Sequence, residues 1–340
     1  MVAFDPSGAA PPDSGIFGLS CSEQDAAIVL IPIPFAATAS YGCGSEKGPE
    51  AILAASRQVD LYDRQFGRIY EAGICMLDPD PVLLAAHEQA RLLCLPILAR
   101  GGPAAEDRAA IAAVDAAGAL VNGIAHALAA GLLAQGKIPG IVGGDHSVAF
   151  GAIRAAAERH PGLGVLHVDA HADLRDAYEG LQWSHASIFH NVLASIPAVR
   201  RLVQVGIRDF SEGELRAIER SGGRVITHFD QDWRRRQFAG EGFDALCKEA
   251  VGALPDAVWI SIDIDGLDPS LCPHTGTPVP GGLSFAELAH LLQTVAESGR
   301  EVVGFDLVEV APGKDEWDAN VGARVLYKLC GVAARRRAQI

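Results

Sequence analysis

The chain has no C-x-x-C pair; its seven cysteines, Cys21, Cys43, Cys75, Cys94, Cys247, Cys272 and Cys330, are scattered and odd in number. That spacing excludes a thiolate zinc site and a disulfide framework, and it fits a reducing cytoplasm where thiols serve as small buried hydrophobes. The residues from Met1 to Pro6 lack the charged-then-apolar plan of a signal peptide. No stretch reads as both long and apolar enough to span a bilayer without charge or glycine interruptions. A Pro/Gly/Ser linker is missing too, so residues 1–340 read as a single domain with residues 1–25 as an N-terminal extension. Positive charge is in deficit: the formal net charge of -14 argues against nucleic acid and anionic membranes. It suits a cationic substrate, although surface solubility explains it equally well.

Against these absences stand three short acidic clusters: Gly-Gly-Asp-His-Ser at 143–147, Asp-Ala-His-Ala-Asp at 169–173 and Ser-Ile-Asp-Ile-Asp at 261–265. Each follows an apolar stretch that reads as a buried strand, so His146, Asp169, His171, Asp173, Asp263 and Asp265 are delivered to one end of a sheet. Four carboxylates converging in one crevice would repel unless cations sat between them. Aspartates with imidazoles and no thiolate describe a site for two divalent ions of the Mn²⁺, Ni²⁺, Co²⁺, Fe²⁺ or Zn²⁺ kind. Alternation supports this, because every second side chain of an extended 169–173 segment points the same way. Any one cluster alone would fit a capped turn or a solvated loop; their joint occurrence after three strands favours the metal site.

The periodicity predicts strands at 27–33, 139–142, 164–168, 201–206, 225–227, 257–262 and 302–307. A Gly-rich loop at 34–48 enters a helix near Pro49, and helices are expected at 104–135, 147–160, 212–221, 243–254 and 285–298. Residues 70–103 are ambiguous. Strands alternating with helices imply an α/β fold, a three-layer α/β/α domain with a mostly parallel central sheet whose ligands lie at the carboxyl ends of the strands.

These residues resemble the ureohydrolases, which include arginase, agmatinase, guanidinobutyrase and formiminoglutamase. The likeness extends to Asp268-Pro269, to the segment from Thr275 to Leu283 and to that from Asp306 to Pro312. It implies two metal ions per chain, one on His146, Asp169, Asp173 and Asp263, the other on His171, Asp169, Asp263 and Asp265. It further implies a hydroxide attacking a guanidinium carbon, with release of urea or a urea derivative and ammonia or an amine. Asp173 would orient the hydroxide, and Glu309 would hold the guanidinium by paired charge-assisted hydrogen bonds. His185 in Trp183-Ser184-His185-Ala186-Ser187 would shuttle protons to the leaving amine, although the family places glycine where Ala186 stands.

The segment after Asp173 lacks the Asn and Ser pattern of arginases, and the loop 34–42 departs from the agmatinase pattern. Residues 313–324 look like the guanidine-hydrolase branch, nickel-dependent enzymes of free guanidine or small substituted relatives. The resemblance therefore implies a small cationic guanidino substrate such as guanidine, an alkylguanidine or a biguanide. Ni²⁺ is favoured with Mn²⁺ as alternative, and the assembly is a trimer or hexamer, possibly including a homologous subunit or served by nickel chaperones. Agmatinase and guanidinobutyrase are the alternatives, followed by formiminoglutamase or a structural partner subunit. Trp317 is a candidate to close the pocket through its π face, and Thr275 and His274 are candidate substrate contacts. His167, His190 and His228 read as packed or surface residues.

Overall fold

Apolar runs such as Ile28–Ile33 and Leu163–Val168 are buried at every position, as strands covered on both faces must be. In the computed structural model, which describes residues 5–335, the strands are β1 (Ile28–Ile33), β2 (Ile74–Met76), β3 (Ile138–Gly143), β4 (Leu163–Val168), β5 (Val199–Ile207), β6 (Val225–Phe229), β7 (Ala257–Asp263) and β8 (Glu301–Val308). They form one sheet of order β2-β1-β3-β8-β7-β4-β5-β6, and all neighbouring pairs are parallel.

Parallel neighbours need long crossovers, which here run through α1 (Gly48–Ser56), α2 (Pro81–Ala99), α3 (Arg108–Ala134), α4 (Phe150–Arg159), α5 (Ile188–Ser195), α6 (Glu212–Arg220), α7 (Asp230–Phe238), α8 (Phe243–Gly252) and α9 (Phe285–Glu297), with α10 (Trp317–Ala334) closing the fold. Strand alternation sorts the core into two halves. Leu30, Val142, Leu166 and Ile260 face Ile52, Leu246, Leu291 and Leu326 of α1, α8, α9 and α10. Their neighbours Val29, Ile141, Val165 and Trp259 face Leu83, Val121, Ile153 and Phe189 of α2, α3, α4 and α5. The result is the three-layer α/β/α architecture with a parallel central sheet.

The ambiguous stretch 70–103 holds edge strand β2 and all of α2. Helix α2 starts where the Asp80 side chain accepts from Val82 N at 2.8 Å with Pro81 in the first turn. Its helical period is masked because Leu84, Leu92, Leu93 and Leu95 are apolar yet exposed. Pro81–Ala99 and Ala105–Ala134 are long and apolar enough to cross a bilayer by length and composition, but each carries interruptions, Glu88 and Arg91 in the first and Arg108, Asp115, Gly118, Gly123 and Gly131 in the second. In the fold each buries one stripe, Leu83, Ala86, Ala90, Cys94 and Ile97 in α2, which is how a helix packed on a sheet behaves. The N-terminal extension joins the core, with Phe17 packed 4.7 Å from the Tyr327 ring and its N–H donating to Ser56 Oγ.

Candidate active site

Four adjacent central strands supply the ligand segments at their carboxyl ends. His146 follows β3, Asp169, His171 and Asp173 follow β4, Asp263 ends β7 with Asp265 in the next turn, and Glu309 follows β8. The turn after β3 runs so close to the neighbouring loop that a Cβ on Gly144 would lie 2.0 Å from Phe35 O; only glycine fits there. The following Asp145 is fully buried and accepts from Ser147 N at 3.1 Å, starting the short helical turn that carries His146.

The six sequence-predicted ligands come together. His146 Nδ1 lies 3.1 Å from Asp173 Oδ2, 3.2 Å from Asp169 Oδ2 and 3.5 Å from Asp263 Oδ2. On the other side of the ring, His146 Nε2 is 2.9 Å from Ser261 Oγ, which donates to Asp306 Oδ1 at 2.7 Å. Ser261 therefore accepts from Nε2–H, and the Nδ1 lone pair faces three carboxylates. That buried nitrogen has no hydrogen-bond partner. Such an arrangement is repulsive unless a proton or a cation stands in the middle, so the donor set fits a divalent ion.

The second grouping is Asp169, His171 and Asp265, with His171 Nδ1 at 3.1 Å from Asp265 Oδ2 and 3.4 Å from Asp169 Oδ1. The two oxygens of Asp169 thus face different groupings, as a bridging ligand requires. Asp263 turns Oδ2 to the first grouping, while its Oδ1 accepts from Asp265 N at 3.0 Å. Thr277 Oγ1 and Ala170 N donate to Asp265 at 3.2 and 3.0 Å. Asp173 and Glu309 hold left-handed backbone angles, φ 54° and 61°, costing roughly 1–3 kcal/mol each and concentrated where the chemistry is.

Protonation follows from the crowding. Burial, then the charge of Asp169, pushes the Asp173 carboxyl up to about 7. Burial, then Asp265, raises Asp263 well above its ordinary range, and burial, then Asp145, does the same for Glu309. Burial works against a charged His146, yet Asp169, Asp173 and Asp263 together hold it protonated well above its usual value. His171 is pushed up to about 12 against burial by Asp265 and Asp169. Protons occupy, in effect, the positions that cations would neutralise.

A cavity of about 150 Å³ opens over this centre, lined by His171, Asp173, His185, Tyr178, Arg175 and Asp209 among others. Thr38 Oγ1 accepts from His185 N at 3.1 Å and donates to Asp145 Oδ2 at 3.0 Å, which ties the histidine to the base of the β3 turn. Burial lowers the pKa of His185. Glu309 is not among the residues lining this cavity; its Oε1 accepts from His146 N at 3.1 Å and its carbonyl accepts from Thr275 Oγ1 at 2.8 Å. Thr275 therefore braces Glu309 and stands outside the cavity lining. Trp317 stands outside it as well, 46% exposed, with its indole N–H donating to Ser270 O at 2.9 Å. His274 is paired to Asp318 at 2.8 Å.

Several participants escaped sequence reasoning. Tyr178 supplies an aromatic face to the cavity, its ring 6.1 Å from that of His185, and Arg175 stacks on it at 4.8 Å. Ser261 and Asp306 lay inside the quoted motifs, and strand alternation puts Ser261 on the same face as Asp263. His167, read as packed or surface, is fully buried and 2.7 Å from Asp169 Oδ2. Its two-residue spacing from Asp169 was the available signal.

Residues 26–331 match the Arginase family. Among similar proteins, the N(1)-aminopropylagmatine ureohydrolase of Thermus thermophilus is 33% identical over 91% of both chains. The proclavaminate amidinohydrolase of Streptomyces clavuligerus is 31% identical over 88% of this chain and 87% of its own. The agmatine ureohydrolase of Thermoplasma volcanium has the same fold, with a TM-score of 0.72 at 24% identity, covering 99% of this chain and 97% of its own. With its His and Asp centre at the carboxyl ends of β3, β4 and β7, the chain belongs to the arginase family of ureohydrolases, hydrolases acting on C–N bonds of linear amidines.

Proposed function

We propose that this chain hydrolyses a C–N bond of a small guanidino compound (guanidine, an alkylguanidine or a biguanide) and releases urea or a urea derivative with ammonia or an amine. The observation that carries the metal-dependent part is the convergence of three carboxylates on the unpartnered Nδ1 of His146. His146, Asp169, Asp173 and Asp263 would hold one divalent ion, and His171, Asp169, Asp263 and Asp265 the other. Such ions lower the pKa of a bound water toward about 7. Asp173, 3.1 Å from His146 Nδ1 and on the cavity wall, would orient the attacking water. Glu309, ionised once divalent ions stand where the metal-free site holds protons, would supply the anion for the guanidinium, and His185, held by Thr38, would relay the proton given up by the water to the departing nitrogen.

The size of the substrate is argued from the cavity. About 150 Å³ is below the ~300–1,000 Å³ of sites for drug-sized ligands, and Tyr178, with Arg175 over its ring at 4.8 Å, leaves at most its other face for a planar cation. A second reading has its own support: Asp209 on the cavity rim, with a side chain 67% exposed, could take the distal amine of an agmatine-like substrate, in line with the relative named for aminopropylagmatine. Nickel as native ion, with manganese as the alternative, cytoplasmic residence, and assembly into a trimer or hexamer belong to this same reading.

The deciding experiment measures kcat/KM for guanidine, methylguanidine, dimethylbiguanide, agmatine, aminopropylagmatine, guanidinobutyrate and arginine with Ni²⁺- and with Mn²⁺-loaded protein. We expect the small planar cations to lead, most strongly with nickel, because an alkyl arm gains little from a carboxylate as exposed to water as Asp209. A tenfold lead for agmatine, aminopropylagmatine or guanidinobutyrate with either ion would overturn the small-guanidine reading and install the second.

A further inference from the structure

A buried side-chain chain runs across three strands behind the metal centre and has no part in the chemistry described so far. Gln204 on β5 and His167 on β4 are fully buried, and the register of the two strands places them side by side. The Gln204 amide nitrogen lies 2.8 Å from Ala172 O and 3.0 Å from His167 Nδ1. On the far side, Gln204 Oε1 accepts from Thr227 Oγ1 of β6 at 2.7 Å. His167 Nε2 completes the series at 2.7 Å from Asp169 Oδ2.

The direction of every bond in this series is fixed by one atom. A backbone carbonyl can only accept, so the Gln204 atom facing Ala172 O must be the NH₂ group, and the amide cannot be flipped. The same NH₂ faces His167 Nδ1, which must therefore accept. The ring proton of a neutral His167 then sits on Nε2 and points at Asp169.

We infer that Gln204, braced by Thr227, is a positioning residue that locks His167 in its Nε2–H tautomer and so holds the bridging carboxylate Asp169 in place for both ions. This rests on the two-ion reading above. Asp169 offers Oδ1 to the His171 grouping and Oδ2 to the His146 grouping, so a rotation of its carboxylate disturbs both at once. Outer hydrogen bonds of this kind orient metal ligands, and their loss typically costs about 10–100-fold in metal affinity.

The test uses the full chain and Mn²⁺ as probe. Histidine ¹⁵N NMR of the metal-free protein, with the His167 signal identified by its loss in His167→Phe, should place the proton on Nε2. Gln204→Glu removes the NH₂ donor and sets a carboxyl oxygen against Nδ1, so Nδ1 should no longer read as a plain acceptor in the ¹⁵N spectrum. The Mn²⁺ Kd of this variant, read by chelator competition, should rise about 10–100-fold. Gln204→Leu should weaken Mn²⁺ similarly, Thr227→Val less, and Thr227→Ser hardly at all. Melting of each metal-free variant checks that it folds; if the Gln204 variants do not, the wild-type tautomer and the Thr227 pair decide. A wild-type proton on Nδ1, or wild-type affinity in folded Gln204→Glu and Gln204→Leu, would overturn the inference while leaving the metal centre standing. A wild-type chain that takes up neither Mn²⁺ nor Ni²⁺ would instead overturn the metal reading and this inference with it.

Discussion

At the residue scale, the proton donor is the most exposed part of the proposal. His185 sits in a 3-10 turn capped by Ser184 and is tied through Thr38 to Asp145, so its hydrogen bonds run to the base of the β3 turn. His185→Ala should therefore leave two ions per chain and lower kcat by roughly 10²–10⁴-fold, the usual worth of a general acid. The loss should shrink with substrates whose departing amine is a weaker base. Equal rates for wild type and variant across the whole panel would remove His185 from the mechanism. The six metal-binding candidates were legible from sequence because strand alternation and the carboxyl ends of strands constrain them directly. Thr38 and Tyr178 were not, since they reach the site through loops whose paths no periodicity encodes. Trp317 shows the converse limit: it is eight residues from Glu309 in the chain, yet the start of α10 turns its indole to Ser270.

At the element scale, the strands and helices expected from periodicity lie within a few residues of those observed, whereas β2, α2, α5 and α7 were not read, α2 because exposed leucines hide its period. What cannot be read from one segment is the seam between α3 and α4. A Cβ on Gly151 would lie 2.0 Å from Asn122 O, so the two backbones touch. Asn122 stitches the seam, its Nδ2 donating to Gly118 O and Ser147 O at 3.1 Å each and its Oδ1 accepting from Gly151 N at 2.9 Å. Ser147 directly follows His146, so the seam also steadies a metal ligand. Asn122→Leu leaves the buried Gly151 N–H and Ser147 carbonyl without their side-chain partner, at about 1–3 kcal/mol for each group left unpaired. Denaturant unfolding of the metal-free variant should show that destabilisation, and Mn²⁺ affinity should fall with it. A midpoint equal to wild type would mean that water or backbone rearrangement replaces the lost bonds.

At the scale of the whole molecule, the metal centre makes folding depend on pH in a direction opposite to ordinary acid denaturation. Asp173 is raised from about 3.8 to about 7 in the folded metal-free chain, and Asp306 to about 6. Both shifts come first from burial. The folded state therefore binds these protons more tightly than the unfolded chain, and the stability they contribute is full below about pH 4 and lost as pH rises toward 7. His171, raised to about 12, contributes stability that begins to fade only above its unfolded value near 6.5. Asp169 works the other way, but it is held far below its ordinary range, so its contribution is constant above about pH 4. Net charge of -14 adds self-repulsion in the same direction as the raised groups, and salt separates the two, since about 0.5 M NaCl screens the surface while buried groups are screened far less. Burial lowers the pKa of His87, His160, His167, His185 and His228, which gives the opposite slope below about pH 6.5, so we expect the metal-free protein, melted in that salt, to lose Tm clearly only from about pH 6.5 upward. Saturating Mn²⁺ should reverse the trend, because the ions replace protons that become progressively easier to displace, and the gap between loaded and metal-free Tm should widen with pH. Calorimetry in buffers of different ionisation enthalpy should show protons released on Mn²⁺ binding. A gap that stays constant from pH 5 to 7, or binding without proton release, would mean that the carboxylates are already ionised in the metal-free fold and that something other than protons balances their charge.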